Sequence, residues 1–325
     1  MTVIAGHVAP PSEMVDNKTF QRGARRTPQA KVFHALQSGG LTVHQANTSP
    51  PQFALIAKVL SMWLNDVDGD CVTAEEAAWI AGYTSYCGSE YLIADQTVLN
   101  FCNKFDALNG ADLLPIIQDM EKTGFSQGGD VIEDGGSAVV DYTSIATLQS
   151  AISGAATGQG GQVKIAIDAN ALPSGAGNGN GWYAFGGSPR QFPNTDHCVG
   201  IAAYGPPDWL AQQLGVPTPP SAPALCFLLY TWKSYGFVDL PWLLSTTVEA
   251  YVRRGIILNG KPVTPVSPTP VPPDPTPPTP VPPSPLTTIT LPQAVRAGQF
   301  VRFKTAKPAG VYVLQGQSET GAEAQ

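Results

Sequence analysis

Five cysteines and four histidines are the side chains of this 325-residue sequence best suited to covalent chemistry. Cysteine catalysis needs a thiolate, an imidazole close enough to take the thiol proton, and N–H donors for the developing oxyanion. Cys71 opens the run CVTAEEAAWIAG over residues 71–82. That run is rich in helix formers, and a helix N-terminus favours the thiolate through its dipole. Asp66, Asp68 and Asp70 immediately before it act the other way, because nearby negative charge raises a thiol pKa. His197 opens a clear strand pattern, HCVGIAAYG at 197–205. His7, His34 and His44 fall in a poorly patterned N-terminal stretch, so His197 is the candidate base by elimination. Cys198 is its sequence neighbour, but adjacent strand residues face opposite sides, which makes Cys198 a core residue.

The acidic run before Cys71 has a second reading. Asp66-Val67-Asp68-Gly69-Asp70 resembles the start of a calcium loop. Counted from Asp66, however, positions 6 and 12 hold Cys71 and Ala77 where that loop needs glycine and glutamate. The plain alternative is an acid-rich turn in which Asp70 caps the helix, with Thr73 and Glu76 at capping-box spacing and Gly82 as a stop.

Several elements must position these groups. An apolar stretch at 53–64 leads into the Cys71 turn. Helical patterns are predicted at 94–105, at 111–124 with Pro115 in its first turn, and at 144–154; a strand is predicted at 163–168. The glycine-rich run 174–187, SGAGNGNGWYAFGG, reads as a loop that is mobile or shaped by Trp182, Tyr183 and Phe185, and forms one wall of a pocket before His197. A second strand is predicted at 225–232 and a last amphipathic helix from Pro241 to Arg254. Helices come first and strands later, which predicts an α+β layout with two lobes.

The formal charge of −7 and pI near 5.0 argue against nucleic-acid binding, and Arg22, Arg25 and Arg26 read as a short solvated cluster. With five cysteines at least one is free or pairs between chains, and no repeated Cys/His spacing points to zinc. The N-terminus shows no secretory pattern and no apolar run nears the ~18–20 residues that span a bilayer, so a soluble protein is expected; if it leaves the cell, it does so by lysis, by another export route or as part of a larger particle. Four regions are predicted: a polar N-terminal arm at 1–52, the main domain at 53–258, a proline-rich linker at 259–285 and a small β-rich segment at 286–325. Residues 1–50 are expected to be poorly ordered or ordered only by packing. The proline run favours polyproline II and would reach roughly 70 Å at about 3.1 Å per residue.

Asn65-Asp66-Val67-Asp68-Gly69-Asp70-Cys71 followed by a helix resembles the nucleophile turn of papain-like cysteine peptidases, especially a divergent bacterial and phage-associated branch with a Gly-Asp-Cys signature. Asp196-His197-Cys198-Val199-Gly200-Ile201-Ala202-Ala203-Tyr204-Gly205 resembles the histidine strand of the same family. Together they cover roughly residues 55–255. The resemblance implies a papain-like two-lobed α+β fold, Cys71 as nucleophile, His197 as base, and no cofactor or metal. It implies that Asn65, six positions before the cysteine, supplies an oxyanion amide where the family usually has glutamine. Substrates would be peptides or related amides. The family's orienting Asn is missing: in Thr231-Trp232-Lys233-Ser234-Tyr235-Gly236, one alignment puts Lys233 at its position and another Tyr230. Two functions stay open, a Cys–His peptidase and an inactive papain-like module that binds or attaches to a larger particle or envelope.

Overall fold

The computed structural model describes residues 2–7 and 20–265, with the backbone of 288–290 and 313–315. The chain divides into two units, residues 1–266 and 267–325. In the second unit β17 (Thr288–Thr290) and β18 (Val313–Gln315) form a parallel pair. The rest of the expected proline-rich linker beyond residue 265 and of the β-rich C-terminal segment lies outside the described residues.

In the first unit, β1 (Ile4–His7), β2 (Ala24–Arg25), α1 (Gln29–Gln37), β3 (Thr42–Val43) and β4 (Phe53–Ala54) precede the long helix α2 (Cys71–Tyr86). Next come α3 (Asp95–Phe105), β5 (Ala111–Asp112), α4 (Leu113–Lys122), β6 (Phe125–Gln127), β7 (Asp130–Asp134), β8 (Ser137–Val139), α5 (Ile145–Ser153) and β9 (Val163–Ile167). The remainder holds β10 (Trp182–Phe185), β11 (His197–Gly205), α6 (Pro207–Leu214), β12 (Cys226–Thr231), β13 (Ser234–Val238), α7 (Leu240–Thr246), β14 (Glu249–Arg253), β15 (Ile256–Leu258) and β16 (Lys261–Val263).

The main sheet runs β1-β10-β13-β12-β11-β9-β14-β8-β3, with β4 also paired to β11, and most of its pairings are antiparallel. β11 is buried along its whole length and its residues sort by period two. Cys198 and Ala202 enter the core shared with α2, α3 and α4. Val199 and Ile201 enter the core on the other side, with α5, α7 and the tryptophans Trp182, Trp232 and Trp242. A mixed α/β unit results, with α2 to α4 contiguous in sequence.

Helix α2 is buried from Cys71 to Thr84, so it has apolar or internally paired neighbours on every side. Several local expectations fail here. Asp70 stands at the N-cap position but makes no side-chain capping bond. Glu76 is drawn into a buried ion cluster instead of a capping box. Gly82 does not stop the helix; it lets the backbone near Leu55 approach, since a Cβ there would lie 2.8 Å from the Leu55 carbonyl oxygen.

Tertiary context overrides pattern elsewhere too. The helix expected over 241–254 is the short α7 followed by strand β14, because residues 249–253 pair with β9 and β8. The glycine-rich 174–187 run contains β10, which pairs with β13 and β1 and buries Trp182 completely. The 111–124 helix begins only at Leu113, since Ala111 and Asp112 pair with β2. Residues 20–50 pack on the unit through β2, α1 and β3.

Candidate active site

The nucleophile candidate is placed by a strained turn and a buried helix. Trp63 and Leu64, just before Asn65, have φ of 48° and 72°, a left-handed conformation costly for bulky side chains and common at functional turns. Trp63 is held there by its indole N–H, which donates to the Ile93 carbonyl at 2.8 Å. The chain then reaches Cys71, the first residue of α2, which is 2% exposed. Burial pushes the Cys71 thiol up to about 12, against the backbone N–H groups of Cys198 and Gly23, which pull it back. The sulfur therefore lies by the backbone of the residue that follows His197.

His197 is the first residue of β11 and is 1% exposed. Its Nε2 shares a 2.7 Å hydrogen bond with Thr231 Oγ1, and its ring stacks on Trp232 at 4.2 Å between centroids. Its Nδ1 has no partner among the described residues. Burial is the main cause that lowers His197 to about 3, with the Arg22 charge adding to it. Burial thus favours the uncharged form of each side chain.

The residue hydrogen-bonded to His197 is neither Lys233 nor Tyr230 but Thr231, and the reason is the hairpin that follows. Thr231 pairs with Ser234, leaving Trp232 and Lys233 as a two-residue turn with φ of 40° and 61°. Such turns match strand twist but normally carry Asn-Gly. Here the strained turn lays the Trp232 indole over the imidazole. Tyr230 points elsewhere, its hydroxyl donating to the Ser61 carbonyl at 3.1 Å. Sequence reasoning missed Thr231 because it sought an amide; the signal available was the Thr-Trp dipeptide ending a strand that pairs with the histidine strand.

Asn65 is buried, and its amide nitrogen donates to the Asp68 carbonyl at 3.3 Å. Asp70 is fully buried with neither carboxylate oxygen hydrogen-bonded, and burial raises it to about 8, against a pull from Asn65. Residues 63–67 form a turn, and no group of three or more His, Cys, Asp and Glu among the described residues is placed to hold a metal ion. The five cysteines are all free and buried.

Beneath α2 lies a cluster that the strand pattern at 163–168 concealed. Lys164 and Arg253 are completely buried against Glu75 and Glu76. Lys164 also donates to the Val72 carbonyl at 2.7 Å, in the first turn of the Cys71 helix. Gln162 donates to Glu75 at 2.7 Å. Burial would raise Glu75, but the Arg253 and Lys164 charges outweigh it and hold that carboxyl below its usual range; the cluster fastens the start of α2 to β9 and β14.

A strap from the N-terminal region covers the site. Phe20 packs edge-on against Trp232 at 5.3 Å. Arg22 donates to Asp196 at 3.1 Å and Asn170 at 3.2 Å. The Gly23 carbonyl accepts from the Ala111 N–H at 2.8 Å and the Ala24 N–H donates to the Asp196 carbonyl at 3.1 Å. Thr27 closes the strap, its N–H on Glu249 and its hydroxyl accepting from the Leu114 N–H. An open groove of about 630 Å³ lined by Phe33, Leu36, Val139, Tyr142, Val248 and Tyr251 includes neither Cys71 nor His197.

No family model matches the chain, and no curated protein matches it. Solved structures do. A mite allergen structure, from work on Blo t 1 and Der p 1, is 13% identical over 77% of this chain and 86% of that one, with a TM-score of 0.47. Xylellain, a cysteine protease from Xylella fastidiosa, is 11% identical over 76% and 99%, with a TM-score of 0.46. Digestive procathepsin L2 from the Tenebrio molitor larval midgut is 12% identical over 74% and 79%, with a TM-score of 0.43.

Proposed function

We propose that the chain is a papain-like, two-lobed cysteine peptidase of the Gly-Asp-Cys type, acting through Cys71 and His197 and covered at rest by its own residues 20–27. The observation that carries this reading is the pairing of two features. The Cys71 sulfur at the start of a buried helix lies by the Cys198 N–H, and the adjoining His197 has one ring nitrogen fixed by Thr231 and the other without a partner.

The chemistry follows from that arrangement. With Nε2 protonated and donating to Thr231, Nδ1 is the free base and takes the Cys71 thiol proton. The thiolate attacks a peptide carbonyl carbon, and the carbonyl π electrons move onto oxygen, where the Asn65 amide is the proposed donor. Collapse breaks the C–N bond, and the leaving amine takes the proton from His197. Water, deprotonated by the same imidazole, then cleaves the thioester and regenerates the thiol. Burial opposes charge separation at rest; withdrawal of the strap rehydrates the site, which favours the thiolate–imidazolium pair and outweighs the loss of the Gly23 N–H beside the sulfur, and removal of the Arg22 charge favours the imidazolium. The inactive-module reading drew on the stalk and tail, the acidic turn and the absent orienting Asn; on the last of these, the Thr231 hydroxyl supplies His197 with a partner, which supports the enzyme. By composition the proline run is a spacer between this unit and the C-terminal segment.

Cys71→Ala is expected to abolish hydrolysis of a peptide mixture, followed by mass spectrometry, while Cys102→Ala leaves it in place. Undiminished hydrolysis by the Cys71→Ala protein would remove this reading.

A further inference from the structure

The strap passes the nucleophile through a gap bounded by backbone on both sides. A Cβ on Gly23 would overlap the Gly69 carbonyl oxygen and come within 2.8 Å of the Gly110 Cα. From the other wall, a Cβ on Gly110, whose φ is +98°, would overlap the Gly23 carbonyl oxygen. Gly69 itself faces the Arg22 carbonyl, with room for a Cβ only at 3.3 Å. These walls are main chain, so no rotamer change can open them; Gly69 precedes the buried Asp70 and Cys71, and Gly110 precedes Ala111, whose N–H donates to the Gly23 carbonyl. Gly69, against which Gly23 packs, stands two residues before Cys71, so the gap adjoins the candidate nucleophile.

Resting on the peptidase reading, we propose that this cleft selects peptides with glycine at the residue lying between Gly69 and Gly110, flanked by a basic residue like Arg22 that meets Asp196 and Asn170. The strap is the chain's own copy of that ligand. The glycine requirement comes from excluded volume, so it holds for any extended chain on this track. An alanine must either displace two main-chain segments or stay out of the gap. The arginine preference has a separate source: Asp196 and Asn170 face the track with oxygen acceptors, and the Arg22 guanidinium meets both. Phe20 adds an aromatic contact on Trp232.

Alkylation of Cys71 by iodoacetamide, mapped by mass spectrometry in the full-length protein, reads occupancy of the gap without requiring turnover. Gly23→Ala is expected to expel the strap and speed Cys71 alkylation at least about tenfold over the wild type. A Phe20→Ala/Arg22→Ala variant, which keeps Gly23 and weakens only the strap's anchors, supplies a second background should Gly23→Ala fold poorly. In it, a synthetic peptide copying residues 20–27 should protect Cys71, and the same peptide carrying Gly23→Ala should protect at least about tenfold more weakly. Equal protection by the two peptides overturns glycine selection and leaves the peptidase reading standing. Glycine-dependent protection together with undiminished hydrolysis by Cys71→Ala removes the peptidase reading and leaves a glycine-selective peptide groove. Cleavage products whose glycine stands at one fixed distance from the cut bond support both.

Discussion

The Thr231 hydroxyl is hydrogen-bonded to His197, and on the proposed reading it orients that ring, a role that separates from folding. Thr231→Val keeps the shape of a buried strand residue and removes the 2.7 Å hydrogen bond. Losing an orienting partner of a general base is expected to lower kcat by about 10–100-fold with little change in KM, measured by steady-state hydrolysis in a strap-weakened background. Asp70 makes a different prediction. Its folded pKa, raised to about 8, exceeds the usual carboxylate value, so the folded state holds a proton that the unfolded chain has lost. Stability from this group is therefore greatest at low pH and falls as pH rises from about 4 to 8, by at most about 1.4 kcal/mol per unit. His197, lowered to about 3, acts oppositely and only up to about pH 6.5, so the range 6.5–8 isolates Asp70 from it. Urea unfolding between pH 6.5 and 8 should show that slope in the wild type and a shallower one in Asp70→Asn; equal slopes would contradict it. The places of Cys71 at a helix start and His197 at a strand start were readable because a cysteine before a helix-forming run and a histidine before a strand are local patterns. Thr231 was not, because its role depends on a partner strand 34 positions from His197.

At the scale of elements, the start of α2 is set by charges that strand periodicity hides. Lys164 lies in an alternating pattern that would put it on a polar face, yet β9 is central in the sheet and both its faces are covered. Lys164→Met leaves Glu75 and Glu76 with a single buried cation, and is expected to destabilise the fold by about 3–5 kcal/mol, measured by chemical denaturation. A loss under about 1 kcal/mol would show that the cluster does not fasten the helix. The same blindness to distant pairing explains the C-terminal error: residues 249–253 have an amphipathic spacing that fits a helix, and only their partners on β8 and β9 make them a strand. Helices α3 and α5 and strands β9, β11 and β12 were legible because their caps, periods and apolar runs are local. Strand β10 was obscured by its glycines, which permit the turns on either side of a buried Trp182.

Across the whole first unit, the strap matters because it is tethered. A free peptide competes for the cleft according to its own concentration. Residues 20–27 belong to the same chain, so their local concentration stays on the order of millimolar for a short connection, however dilute the protein. A substrate at micromolar levels therefore meets a competitor roughly a thousand times more abundant, and raising its concentration does little. On the proposed reading dilution does not awaken the peptidase either. Its activity would begin with an event on the tether, a cut or an unthreading near residues 20–27, so it would respond to history more than to supply.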